Sequence, residues 1–200
     1  MFAVNEGVDF MVMKPVAQGY DAVVPLPVKA GVGDFFGNIA DIRNTLNNAL
    51  QGKFSDAAND FGRLLINSTI GIFGLFDVAS ELGLGKHDED FGQTLAVWGW
   101  DESTFLFWPV VGPKTVRDTG GLVVDIYTDP TWYTFNKDVA TRNSLVALLY
   151  IDVRASLLPS DKVVEEAAFD KYTFVRDAYL QRRRNQIFDG SPPRLDDVLN

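Results

Sequence analysis

Cysteine is absent from these 200 residues. That excludes disulfides, thiol nucleophiles, thiolate-bound zinc and, in the chain as given, a lipidated cysteine. Histidine occurs once, at His87. With no second histidine to pair, no His-built metal site or acid–base couple is expected, and His87 reads as an exposed loop residue. Basic residues are scarce: 18 Lys and Arg face 27 Asp and Glu, a net charge of −9. Nucleic acid is therefore not an expected partner, because neutralising phosphates needs a basic surface. No window of eighteen uncharged apolar residues exists, so no transmembrane helix is predicted. Met1-Phe-Ala-Val-Asn5 lacks a basic lead and reaches Glu6, so no signal peptide is expected in it. Neither GxSxG nor HExxH occurs, and no nucleophile–base pair is visible, so the chain is not read as an enzyme. Gly31-Val-Gly33-Asp-Phe-Phe-Gly37 has GxGxxxG spacing without a clear preceding strand, which fits a helix-entry turn better than a dinucleotide loop. Arg117-Asp-Thr-Gly-Gly121 lacks the Lys-Ser/Thr of a phosphate loop.

What is present is apolar and aromatic. Charged residues make up 22%, below the ~25% usual for soluble domains, while 15 Phe and 4 Trp enrich the chain in side chains favoured at wet–dry boundaries. The most apolar stretch is Arg63-Leu-Leu-Ile-Asn-Ser-Thr-Ile-Gly-Ile-Phe-Gly-Leu-Phe-Asp77. As a helix, Leu64 to Phe76 extends roughly 20 Å, short of the ~20 residues that cross a bilayer. It is enclosed either by a protein core or, part-way, by a membrane.

The rest of the pattern is mostly helical. A short helix is predicted over 7–13, stopped by Pro15, with Val23-Val-Pro-Leu-Pro27 as an extended connector. Phe35, Ile39, Ile42, Leu46 and Leu50 form one apolar face of a helix capped by Asp34 and ended by Gly52. Asn38, Asp41, Asn44, Asn47 and Asn48 fall on its other faces. Ser55 and Asp56 open a second helix containing the apolar stretch, and the short link makes the pair antiparallel. Asp77 caps a short helix through Leu82, and Lys86-His-Asp-Glu-Asp90 is a charged loop.

From Phe91 to Pro113, two aromatic runs flank a polar tip, Asp101-Glu-Ser-Thr104, in the shape of a hairpin-like loop. It is either buried in a core or lines a lipid-accessible cavity. Pro113 suits the first position of a helix, and Asp118, Asp125 and Asp129 read as caps. A helix from about Lys137 to Leu158 presents Val146, Leu149, Val153 and Leu157, stops at Pro159, and is followed by a short helix capped by Ser160 or Asp161. Tyr172, Val175, Tyr179 and Leu180 mark a last helix ending near Gly190, with Arg182, Arg183 and Arg184 as a solvated face for which lipid headgroups are the alternative partner.

At Arg63–Asp77 the sequence resembles the MlaA (VacJ) family of outer-membrane phospholipid-binding lipoproteins. Further matching motifs are Asn5-Glu-Gly-Val-Asp9, Lys14-Pro-Val-Ala17, Tyr20 with Val24-Pro25, Asn38, Leu50-Gln-Gly52, Phe91-Gly-Gln-Thr-Leu95, Pro109 with Gly112-Pro113, Val116-Arg-Asp118 with Gly120-Gly121, and Arg176-Asp-Ala-Tyr179. They cover about residues 1–190 in one register, leaving 191–200 as a flexible tail.

The resemblance implies an all-α, single ring-like domain with amphipathic membrane-seated helices and a central channel. Its place would be the periplasmic side of the Gram-negative outer membrane, in the inner leaflet. Its partners would be phospholipid, a trimeric porin and a periplasmic lipid carrier. The implied function is retrograde transport of mislocalised outer-leaflet phospholipid without covalent chemistry, cofactor or metal. Leu64, Leu65, Asn67, Ile70, Gly71, Phe73, Gly74 and Phe76 are the expected channel or membrane seat, and Trp98, Gly99 and Trp100 the expected hairpin-loop gate. Family members begin with a signal peptide and a lipidated cysteine. Neither is in this chain, so Met1 is expected to start a shortened mature form. Gly99 is kept in a loop that is glycine-rich in the family, but Trp100-Asp-Glu-Ser-Thr104 replaces further glycines. The alternative is a soluble periplasmic carrier of hydrophobic ligands, or a structural domain.

Overall fold

A computed structural model describes residues 1–100, 103–134, 136–167 and 170–193. The described residues are helical apart from one two-stranded hairpin, as expected. Pro15 does not stop the first helix. Phe2–Val8 (α1) runs through a π-helical turn, Asp9–Met13, into Lys14–Val23 (α2). The wide π turn gives room to the carbonyls that the Pro15 ring would otherwise crowd. Only Val24 and Pro25 are extended, where the predicted connector ran from Val23 to Pro27.

The next helix, Leu26–Leu50 (α3), starts eight residues before the predicted cap at Asp34. Pro27 sits in its first turn, where no amide hydrogen is missed. Gly31 and Gly33 therefore lie inside a helix and form no entry turn. Gly52, at φ 81°, reverses the chain as expected, and Phe54–Thr69 (α4) packs back antiparallel along α3. The predicted apolar helix stops at Thr69, and residues 70–76 form a tight loop. Asp77 caps Val78–Glu81 (α5) by accepting from the Ser80 amide, as predicted.

Phe91–Val97 (α6) is a helix whose Asp90 cap accepts from the Gln93 amide. The first arm of the predicted aromatic hairpin is therefore helical. The hairpin lies later, pairing Phe105–Trp108 (β1) with Gly112–Thr115 (β2), Phe105 opposite Thr115 and Trp108 opposite Gly112. Its tip is Pro109 to Val111; Asp101 and Glu102, half of the predicted tip, lie outside the described residues. Pro113 belongs to β2, where it faces Phe107, and the helix Val116–Thr128 (α7) starts after it with Thr115 as its cap.

After Pro130–Thr134 (α8), Val139–Ala167 (α9) runs straight through Pro159. Neither Ser160 nor Asp161 caps a new helix. The Asp161 carboxylate instead accepts from Arg154 at 2.9 Å and pairs with Lys14 at 3.1 Å, binding this part of α9 to α2. Tyr20 donates to Asp152 at 2.8 Å along the same contact. Lys171–Ile187 (α10), capped by Asp170, closes the fold near Gly190 as expected. The predicted tail lies beyond the described residues from 194 onward.

Candidate functional site

The α3–α4 hairpin is amphipathic with its faces reversed. Asn38, Asp41, Asn44, Asn47 and Asn48 of α3 are buried, as are Ala57, Asp60, Arg63 and Asn67 of α4. The five from α3 are the side chains read from the sequence as lying off its apolar face. Leu46 and Leu50, predicted to be core, are about half exposed, as are Phe61 and Leu65, while Phe54 is more so. Among the described residues the fully buried apolar side chains are all alanines: 17, 57, 79, 96 and 155. Buried polar groups are tolerable only when they satisfy one another. Asn38 donates to Ser68 Oγ at 2.9 Å, Asn48 to Asp60 at 2.8 Å and Asn44 to the His87 carbonyl at 2.7 Å. His87 is thereby half-buried, with Nδ1 2.8 Å from Asp60, where an exposed loop residue was predicted. Arg63 Nε faces Asp41 Oδ2 at 3.4 Å. Burial pushes the Asp41 carboxyl up to about 6, against the pull of Arg63.

The loop after Thr69 carries most of the predicted seat. Ile72 and Phe73 adopt φ 53° and 57°, an unfavourable region for a β-branched and an aromatic residue, and Gly74 follows at 86°. This backbone turns Ile70, Ile72, Phe73, Leu75 and Phe76 outward, Phe73 to 77% exposure. A side chain at Gly74 would meet Asn38 Cβ at 2.5 Å, and one at Gly71 the Phe76 carbonyl at 2.2 Å, so both glycines are needed for close approach. Asn67 does not face outward with this group. Its amide donates to Asp77 at 3.0 Å and its oxygen accepts from the Ala79 amide at 2.9 Å. Burial raises the Asp77 carboxyl, but hydrogen bonds from Ser80, Arg63 and Asn67 outweigh it and hold the group well below the carboxylate range. Leu64 is half-buried and Leu65 exposed on α4.

A second polar core joins α6, α7 and α10. Arg183, predicted to be solvated, is buried and reaches Asp90 (2.5 and 2.6 Å) and Asp118 (2.9 Å). Tyr179 donates to the other Asp118 oxygen at 2.6 Å. Burial raises Asp118, yet Arg183 and these donors bring it down to about 2. Arg182 alone of the three arginines is strongly exposed. The predicted gate residues follow α6: Trp98 Nε1 donates to the Leu50 carbonyl at 3.1 Å, Gly99 has φ 103°, and the Trp100 carbonyl accepts from Arg117 at 3.1 Å. Both indoles are about half exposed.

None of the predicted site residues lines the mostly apolar cavity, of about 470 Å³, between α3, β2, α7, α8 and α9. Its walls include Phe36, Ile39, Leu122, Val146 and Leu149, with Arg43, Lys114, Asp125 and Asp129 among them. Burial pushes the Asp125 carboxyl up to about 6, with Asp90 adding to it. Asp129 caps α8 by accepting from the Thr131 amide, as read from the sequence, whereas Asp118 and Asp125 lie inside α7, whose cap is Thr115, and Asp125 accepts from the Phe91 amide at the start of α6. Ile39, Val146 and Leu149 carried the sequence signal for this wall, as members of apolar helix faces. Lys114 carried none, because it lies between a proline and a threonine in a two-stranded hairpin.

The profile of the MlaA lipoprotein family matches residues 1–186. The Escherichia coli K12 protein named intermembrane phospholipid transport system lipoprotein MlaA is 32% identical over 178 residues, 87% of this chain and 69% of its own. The Haemophilus influenzae protein of the same name is 30% identical over 187 residues, 92% of this chain and 73% of its own. A solved structure described as "Structural basis for maintenance of bacterial outer membrane lipid asymmetry" superposes with a TM-score of 0.79 at 29% identity, covering 95% of this chain and 94% of that one.

Proposed function

This chain belongs to the MlaA lipoprotein family, and on that premise we propose that it seats in the inner leaflet of an outer membrane and moves phospholipid through a central channel without covalent chemistry. The observation that carries this reading is the reversed α3–α4 hairpin: Asp41 and Arg63 are inside while Phe61, Leu65 and Phe73 are outside. An apolar exterior around a hydrogen-bonded polar interior suits a hydrocarbon surround, and it opposes the alternative of a soluble carrier with an apolar core. Among the described residues no helix is long and apolar enough to cross a membrane, which agrees with part-way seating. The seat comprises Leu65, Ile70, Phe73 and Phe76, with Gly71 and Gly74 shaping the loop and Leu64 and Asn67 supporting it. The cavity beside α9 is the stretch of channel that holds lipid, its apolar walls meeting the tails and its charges the headgroup. The gate is assigned to Trp98, Gly99 and Trp100, the half-exposed turn after α6. Association with a porin trimer, hand-over to a periplasmic carrier and the direction from outer leaflet to periplasm follow from the family resemblance. Organic extraction of the purified protein followed by mass spectrometry tests the reading: phospholipid at near-stoichiometric amount is expected, and a lipid-free, monodisperse protein in the absence of detergent contradicts it.

A further inference from the structure

Lys114 is a cation without a local use. It is half-buried on the cavity wall, and among the described residues its ammonium makes no hydrogen bond or ion pair. Ile126 and Leu149 line the same cavity, so an anion entering it would meet the Lys114 charge among apolar walls. Arg43 lies on the same wall and is fixed in place. Its Nε donates to the Glu89 carbonyl at 3.0 Å, and Nη2 stands 3.5 Å from the exposed carboxylate of Asp88. Asp125 shares the lining and does not ion-pair with Lys114. Its carboxyl is raised to about 6 by burial, then by Asp90, against the pull of Arg43. One apolar-walled cavity thus presents two cations and a carboxylate, of which Arg43 already stabilises the Asp125 carboxylate and Lys114 is paired with neither.

We propose that Lys114 and Arg43 seat the phosphate of a zwitterionic lipid headgroup and Asp125 takes its ammonium, so that this cavity favours amine-bearing phosphodiesters of the phosphoethanolamine class. The inference rests on the lipid-transport reading above and adds to it a headgroup preference. Charge-assisted hydrogen bonds to a phosphate are among the strong ones, and the apolar walls make them stronger than in water. Binding of three lipids with identical short acyl chains to the full chain in mild detergent tests it. The three carry a phosphoethanolamine headgroup, a phosphoglycerol headgroup and none (diacylglycerol). The protein is expected to bind them in that order. Lys114→Glu lowers affinity for both phosphate-bearing lipids by about tenfold or more while leaving diacylglycerol unaltered. Lys114→Met, which keeps much of the apolar stem, shows a smaller loss of the same selectivity. Asp125→Asn reduces only phosphoethanolamine binding. Equal effects of Lys114→Glu and Lys114→Met on all three lipids, or no effect on any, overturn the headgroup seat and leave lipid carriage standing. Failure of the unaltered protein to bind any of the three overturns lipid carriage itself.

Discussion

Arg63 Nη2 donates to both carboxylate oxygens of Asp77, at 2.9 Å each, and so joins the two ends of the apolar stretch they flank. The same guanidinium reaches Ser80 Oγ and the Leu84 carbonyl through Nη1 and faces Asp41 through Nε. At 1% exposure, Arg63 is the hub that holds the outward-facing loop to the polar core. Arg63→Met leaves Asp41 and Asp77 without their counter-charge. A loss of ~3–5 kcal/mol is expected in denaturant unfolding. Adding Asp41→Asn to that variant recovers part of the loss, because one stranded charge is removed.

The pH dependence of stability follows from Asp41 and Asp125. Both folded carboxyls are raised to about 6 from an ordinary 3.8, chiefly by burial. At these two sites the fold holds protons that the unfolded chain has already released, so their contribution to stability is fully present below about pH 4 and is lost as pH rises toward 6, while the depressed carboxyls of Asp77 and Asp118 act in the opposite sense and lose their contribution below about pH 4. One such group contributes a slope of up to about 1.4 kcal/mol per pH unit. Denaturant midpoints at pH 4, 5 and 6 should fall less steeply for Asp41→Asn than for the unaltered protein, and equal slopes would count against the assignment.

Gly74→Ala combines a φ of 86° with a contact at 2.5 Å to the Asn38 Cβ. Gly52→Ala meets only the first problem, since nothing lies within 4 Å of a side chain there. Gly52→Ala should cost about 1–2 kcal/mol and Gly74→Ala distinctly more, read as unfolding midpoints. Equal costs would show that the loop does not rest on Asn38.

Asn5 clamps the β-hairpin tip, donating to the Trp108 carbonyl at 2.8 Å and accepting from the Val110 amide at 2.8 Å. In Asn5→Ala the Val110 amide should exchange hydrogen faster while global stability falls by only about 1 kcal/mol. Unchanged protection at Val110 would mean the tip is held by its apolar contacts instead.

The sequence reveals the helical class, the α3–α4 hairpin and the Asp77 cap, because period, turn glycine and capping chemistry are local signals. It conceals which face of the hairpin is inside. Ile39, Leu46 and Leu50 are spaced for burial in any medium, and only tertiary partners such as Ser68 for Asn38 or Asp60 for Asn48 show that the asparagine face is enclosed. The end of α4 at Thr69 is hidden for a similar reason: Ile72 and Phe73 at positive φ are held by Gly74, Asn38 and the Arg63–Asp77 lock, none of which is adjacent in sequence. Pro15 and Pro159 mislead because a wide turn and a long packed helix absorb them. Within the candidate site, the apolar wall was visible as helix faces, whereas Lys114 and Asp125 became neighbours only through folding.

Depth-dependent quenching tests reversed seating most directly, and the absence of native cysteine makes single-site labelling clean. Phe73→Cys and Leu65→Cys place a fluorophore on the outward loop and on the outer face of α4, while Asn185→Cys places one on α10. In liposomes containing lipids brominated along their acyl chains, the labels at 73 and 65 are expected to be strongly quenched and the label at 185 not. Quenching at 73 and 65 no greater than at 185 would contradict a hairpin whose apolar face meets hydrocarbon.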